Sequence, residues 1–217
     1  MAAQRIGVLG GTFDPVHSGH LSIAERALTE AALDRVLFIP AGNPRLKQQK
    51  PAAAVGHRVE MVKLAVAGNA KFQVCETEAT RPGPTYTVDT LEELSRKFVP
   101  SLTSPGGLFF ILGLDVLPRL GEWKSPERIL ELCRLVVVTR PGYSGFDWPG
   151  FYSSHPAAKN QVELVSSSTV DISGTELRQR IASGLSLWGL VPEPVEDYIR
   201  AHGLYRGVPG AGEQGEG

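Results

Sequence analysis

Residues 10–20 read Gly10-Gly11-Thr12-Phe13-Asp14-Pro15-Val16-His17-Ser18-Gly19-His20, and the hydrophobic period changes across them. Upstream, Arg5 to Leu9 is a short apolar run stopped by the glycine pair, as a buried strand would be. Downstream, Leu21, Ala24, Leu28 and Ala31 recur at spacings of three and four, which predicts a helix over Ser18 to Ala32. The glycines let backbone come close to a ligand. The helix start offers N–H groups and the positive end of its dipole to an anion. His17 and His20 lie three apart there and can face one phosphate group. The competing reading is a plain glycine turn with two surface histidines. A zinc pair fits less well, because helical zinc histidines sit at i, i+4 with a glutamate between them.

The same alternation continues along the chain. Val36 to Ile39, Lys71 to Cys75, Leu108 to Leu112, Arg134 to Thr139 and Gln161 to Val165 read as strands, several closed by Pro or Gly. Val59, Val62 and Val66 mark one helical face, and Val88, Leu91, Leu94 and Phe98 another. Ser125-Pro126-Glu127 reads as a helix start with a serine cap, and Ser173 with Glu176 as a capping box ahead of Leu177 and Ile181. A last helix is expected from Pro194 to His202, capped by Gly203. Residues 141–160, rich in Gly, Pro, Ser and aromatics, read as an irregular excursion. The class is therefore α/β: a doubly wound, mostly parallel sheet with helices on both faces and a small C-terminal helical part. One domain is expected over residues 1–206, followed by a disordered glycine-rich tail over 207–217. Ligands of such sheets sit at the carboxyl ends of the strands.

Composition narrows the function classes. The 217 residues carry 22 basic and 23 acidic side chains, a formal charge of −1, so no global field draws the protein to nucleic acid or an anionic membrane. Only Cys75 and Cys133 occur, which excludes a disulfide scaffold. A secretory signal and a membrane-length apolar stretch are both missing, so the expected location is the cytoplasm. The spacing of Gly7, Gly10 and Gly11 does not make G-x-G-x-x-G, and neither G-x-x-x-x-G-K-[ST] nor G-x-S-x-G occurs. Dehydrogenase, P-loop and α/β-hydrolase readings lose their motifs.

The run GGTFDPVHSGHL resembles the signature of nucleotidylyltransferases, and of nicotinate-nucleotide adenylyltransferases in particular. The similarity continues through Gly83-Pro84-Thr85-Tyr86-Thr87-Val88-Asp89-Thr90-Leu91 and through Phe110-Ile111-Leu112-Gly113-Leu114-Asp115 with Leu120 and Trp123. It extends to Val137-Val138-Thr139-Arg140-Pro141-Gly142, to Asp171-Ile172-Ser173-Gly174-Thr175-Glu176-Leu177-Arg178, and to the closing run from Leu190 to Tyr205. Two departures stand out. Asn43-Pro44-Arg45-Leu46-Lys47 replaces the family's Pro-Pro-His-Lys, with leucine at the histidine position. Gly174 stands where the family has a second serine.

The resemblance implies a Rossmann-like fold. It also implies attack by a mononucleotide 5′-phosphate on the α-phosphorus of ATP, with Mg²⁺ accompanying the ATP. It places His17, His20 and Arg178 in catalysis. ATP would be bound by Gly10, Gly11, Thr12, Phe13, His17, His20, Lys47, Gly113, Asp115, Ile172, Ser173, Thr175 and Arg178. The mononucleotide would be held by Thr12, Lys47, Thr85, Tyr86, Thr87, Asp115, Trp123 and Arg140. The expected product of nicotinate mononucleotide is nicotinate adenine dinucleotide. Alternatives are nicotinamide mononucleotide or pantetheine phosphate as acceptor, or a non-catalytic nucleotide-binding protein on the same fold. Expected partners are thus small molecules, with no nucleic acid and no membrane; a homo-oligomer is left open.

Overall fold

In the computed structural model, which describes residues 4–43, 50–98, 107–139, 145–166 and 172–206, six strands form one parallel sheet. They are β1 (Ile6–Gly11), β2 (Arg35–Pro40), β3 (Phe72–Val74), β4 (Leu108–Gly113), β5 (Arg134–Thr139) and β6 (Val162–Ser166). Their order is β3-β2-β1-β4-β5-β6, every neighbouring pair parallel. The helices are α1 (Ser18–Glu30), α2 (Val55–Val66), α3 (Thr77–Thr80), α4 (Thr87–Phe98), α5 (Pro126–Leu132), α6 (Trp148–Ser154), α7 (Gly174–Ala182) and α8 (Glu193–Ala201). The chain winds outward from β1 to β3, then returns to place β4 on the other side of β1. That reversal opens a crevice at the carboxyl ends of β1 and β4, where a doubly wound sheet takes its ligands.

Unbroken apolar strands explain the layering, because successive side chains point to opposite faces and both faces are covered. In β5, Val136 and Val138 feed the core under α1, α2, α7 and α8, while Leu135 and Val137 feed the core under α4 and α5. Phe109 and Ile111 of β4 divide from Phe110 and Leu112 in the same way. Cys75 and Cys133 are free thiols; Cys133 is buried, its Sγ donates to Ile129 O at 3.3 Å, and burial pushes its pKa up to about 12. It packs rather than reacts. Among the described residues no helix is long and apolar enough to cross a membrane.

The structure corrects three local expectations. The segment 145–160 is not irregular: it holds α6 and a 3₁₀ turn over Pro156–Asn160, and an aromatic cluster ties it down. Trp148 lies 4.6 Å from Phe146 and stacks on Tyr152, and Asp147 caps the helix by accepting the Gly150 N–H at 3.0 Å. Ser125 and Ser173 do precede α5 and α7, but neither side chain caps. Ser125 sits in the left-handed region at φ +53, and Ser173 makes no side-chain bond to its helix. Residues 141–144 and the tail 207–217 lie outside the described residues.

Gly7 shows how closely the turn after α1 packs on the sheet. A Cβ there would lie 2.8 Å from Leu33 Cδ1, 3.0 Å from Ile111 Cδ1 and 3.1 Å from Val36 Cγ2. Three neighbours would have to move together. Gly7→Ala is therefore expected to destabilise the protein by about 1–3 kcal/mol in denaturant unfolding; wild-type stability would show that this layer has slack.

Candidate active site

The turn after β1 is shaped by a buried carboxylate. Asp14 Oδ2 accepts the Ala52 N–H at 2.7 Å, and Oδ1 accepts the Ala53 N–H at 3.0 Å and the Tyr205 hydroxyl at 2.8 Å. Burial and the adjacent carboxylate hold the Tyr205 phenol protonated, its pKa well above the usual value. Buried Arg58 works from the other side. It donates to Thr12 O at 2.7 Å, Ala53 O at 3.2 Å and Gly42 O at 3.3 Å, so one guanidinium ties the turn after β1 to the connection between β2 and α2. Between these anchors Phe13 adopts φ +50, a left-handed conformation that a bulky residue adopts only when its surroundings enforce it. Its ring is buried, edge-on to His20 at 4.9 Å. Neither the Thr12 nor the Phe13 N–H has an acceptor among the described residues.

The two histidines differ. His20 Nδ1 accepts the His17 N–H at 3.3 Å, which in the neutral ring puts the proton on Nε2 as a donor. His20 lines the central pocket. His17 is only 7% exposed, its Nδ1 has no hydrogen-bond partner among the described residues, and burial pulls its pKa down to about 4. The ring centroids lie 3.7 Å apart with the planes tilted by 32°, an approach that two imidazolium ions would resist. In the unliganded protein at neutral pH, His17 is uncharged. Gly19 makes this packing possible, since a Cβ there would sit 3.0 Å from His17 Nδ1.

The start of α7 meets the same turn. A Cβ on Gly174 would lie 3.3 Å from Asp14 O, and one on Gly19 would lie 3.8 Å from the Ile172 Cβ, so the N-terminal ends of α1 and α7 adjoin. Because Ser173 does not cap, the N–H groups of Gly174, Thr175 and Glu176 meet no acceptor among the described residues, as in the first turn of an uncapped helix. Arg178 Nη1 donates to Asp14 O at 2.8 Å and lies 3.8 Å from the Asp14 carboxylate, and Nη2 donates to Thr175 Oγ1 at 3.2 Å, which fixes the guanidinium. At α1 the Ser18 N–H is already engaged by Leu190 O at 2.9 Å. The α7 end is thus the freer anion cradle.

Beside this cradle a pocket of about 730 Å³ runs along the sheet edge. It is lined by Gly10, Gly11, Thr12 and His20 from the turn after β1 and the start of α1, and by Thr85, Tyr86, Thr87 and Trp123 from the entry to α4 and the segment before α5. The chain enters α4 here, so the N–H groups of its first turn face no helical acceptor. The Thr85 hydroxyl and N–H are both engaged by Asn43 O, at 3.3 and 3.1 Å, so Tyr86 and Thr87 are left as backbone donors. Trp123 packs edge-on to Phe110 at 5.7 Å. Gly113 closes β4 at the same sheet edge, with the Asp115 carboxylate folded over it where a side chain would otherwise stand.

Phe13, His17, Gly113, Asp115, Ile172, Ser173, Thr175 and Arg178 flank the pocket rather than line it, and Lys47 and Arg140 lie outside the described residues. Sequence reasoning missed Asp14, Arg58, Tyr205, Glu78 and Lys124. For Arg58 a signal existed: it shares the buried face of α2 with Met61 and Val62. Among the described residues no three His, Cys, Asp or Glu side chains are grouped to hold a metal.

His17 gives this site a pH signature. The unfolded chain protonates near 6.5 but the folded chain only near 4, so His17's contribution is complete above 6.5 and lost as pH falls toward 4. Wild type should lose about 3 kcal/mol more unfolding free energy than His17→Asn between pH 7 and pH 4. Parallel pH slopes for the two proteins would mean that the ring is solvated.

Comparison with known proteins agrees with this arrangement. The cytidylyltransferase-like family model matches residues 8–180. The chain is 45% identical over 206 residues to a probable nicotinate-nucleotide adenylyltransferase of Roseiflexus sp., covering 95% of this chain and all of the relative. It is 43% identical to a protein of the same name from Thermomicrobium roseum, covering 94% and 93%. In fold it is similar to the Plasmodium falciparum nicotinic acid mononucleotide adenylyltransferase complexed with NaAD, at a TM-score of 0.70 and 17% identity, over 93% of this chain and 97% of that one. With the motif-bearing turns gathered at one sheet edge and relatives aligned end to end, the chain belongs to the nicotinate-nucleotide adenylyltransferases of the cytidylyltransferase-like family.

Proposed function

We propose that this protein transfers the adenylyl group of ATP to nicotinate mononucleotide, forming nicotinate adenine dinucleotide and pyrophosphate in NAD biosynthesis. The observation that carries the reading is the junction of the α1 and α7 N-termini beside a pocket that Trp123 and the start of α4 also line. The junction suits a polyphosphate, and the Trp123 wall an anionic aromatic ring. A 5′-phosphate oxygen forms a bond to the α-phosphorus while the bond to the β-phosphate oxygen breaks. The nucleophile is already an anion and the leaving group a stable polyanion, so no general base or acid is needed. The work left to the protein is positioning and charge neutralisation.

Each group then has a part. Nε2–H of His20 and the Thr12 and Phe13 N–H groups face the α-phosphate. The open α7 N–H groups, the Ser173 and Thr175 hydroxyls and Arg178 take the β- and γ-phosphates. His17 joins by taking up a proton once a polyphosphate offsets its burial. Asp115 serves ribose hydroxyls beside Gly113. Mg²⁺ enters as part of the MgATP substrate, held mainly by phosphate oxygens and water. Trp123 covers the pyridine ring, and the Tyr86 and Thr87 N–H groups read its carboxylate. A carboxamide would set its NH₂ against donors, an unmade bond costing ~1–3 kcal/mol, or about 5- to 150-fold.

Pyrophosphate release with ATP and each of nicotinate mononucleotide, nicotinamide mononucleotide and pantetheine phosphate tests the reading. The acid form should give the highest kcat/KM, and His20→Ala should lower its turnover by ~10²–10⁴ with thermal stability nearly unchanged. Equal use of the amide, or a preference for pantetheine phosphate, contradicts the assignment of substrate.

A further inference from the structure

Lys124 follows Trp123 in the turn before α5 and lines the pocket. Its ammonium is held from two sides. Nζ lies 2.9 and 3.1 Å from the two oxygens of Asp89, in the first turn of α4, and 4.6 Å over the ring of Tyr86. The lysine therefore spans the pocket lining from the Trp123 wall to the helix start that supplies the backbone donors. Its side chain remains 47% exposed, so its charge meets solvent and an incoming ligand.

The other Asp, Glu, Lys or Arg side chains that line the pocket are the acids Glu78 and Glu122. Glu122 is neutralised by Arg119 at 2.9 and 3.0 Å. Glu78 accepts the Thr90 hydroxyl at 2.8 Å, and its burial pushes its pKa above the usual carboxylate value. Without Lys124, the described lining here would offer an arriving carboxylate two glutamates and no cationic side chain. We propose that Lys124, positioned by Asp89 and the Tyr86 ring, is the specificity-determining cation through which the pocket favours a pyridine ring bearing a carboxylate over one bearing a carboxamide. The inference deepens the adenylyl-transfer reading and rests on it for the identity of the ligand. The backbone donors of Tyr86 and Thr87 read the shape of the substituent, and Lys124 reads its charge.

The test compares the two mononucleotides on wild type, Lys124→Met, Lys124→Arg and Asp89→Asn, by kcat/KM at fixed ATP and by equilibrium binding. Lys124→Met keeps the stem on Tyr86 but removes the charge. It should lower the acid-to-amide ratio about three- to tenfold, chiefly by weakening the acid, with a smaller effect at high salt. Lys124→Arg should keep the ratio near wild type. Asp89→Asn removes the counter-ion and should raise it. A ratio unchanged in Lys124→Met, or an equal loss for both mononucleotides, overturns the proposal and leaves Lys124 a packing residue. The binding ratio needs no turnover, so a wild type that binds the acid form selectively yet releases no pyrophosphate would sink the adenylyl-transfer reading and still support the charge-reading role.

Discussion

The Asp14 carboxylate is the point on which the nucleotide-binding end of this molecule hangs. It joins three parts of the chain that are far apart in sequence: the turn after β1, the segment before α2, and Tyr205 beyond α8. An ionised carboxylate removed from water is costly unless its lone pairs are filled, and here two backbone N–H groups and a phenol fill them. Arg178 lies in ion-pair range of the carboxylate at 3.8 Å, and Arg58, buried nearby, adds positive charge and binds the carbonyls of the same loops. Together they hold the turn closed around a left-handed Phe13.

From that closed turn the electrostatics of the site follow. With the turn fixed, the starts of α1 and α7 are brought side by side, and the glycines at positions 19 and 174 allow the approach. A helix start that its own serine leaves uncapped is a defect in an isolated fold, and an asset where a polyanion completes the bonds. His17 fits the same logic. Buried beside His20 with its pKa lowered, it is uncharged at neutral pH, so the turn does not force two imidazolium ions together.

Much of the architecture is legible in the sequence because the strands are continuous apolar runs and the helices keep a clean 3.6-residue face. Arg134 to Thr139 is a strand from end to end, as its six residues read. Caps are less legible. Ser125 and Ser173 stand at helix starts, but residue identity carries no information about backbone angle, and neither caps. Residues 145–160 hide a seven-residue helix, since one short turn gives no period and its stability comes from aromatic packing among Phe146, Trp148, Phe151 and Tyr152. At the site, the segments that the resemblance singles out do meet at one sheet edge. The residues that hold them there are silent in the sequence, because Asp14 and Tyr205 stand 191 positions apart and local spacing cannot pair them. Lys124 is silent for a similar reason: its meaning lies in Asp89 and Tyr86, which belong to another helix start.

Two opposite outcomes can be told apart by titrating ATP against Asp14→Asn, with circular dichroism to show that the fold is retained. An asparagine of the same shape has one oxygen to offer where the carboxylate accepts with two, and its NH₂ meets the backbone donors of Ala52 or Ala53. If the carboxylate holds the turn, ATP binding weakens by about tenfold or more, although a negative charge near a polyanion has been removed. If Asp14 were only one more charge beside the phosphates, its removal would leave ATP affinity unchanged or strengthen it, and the carboxylate would not be what organises the turn.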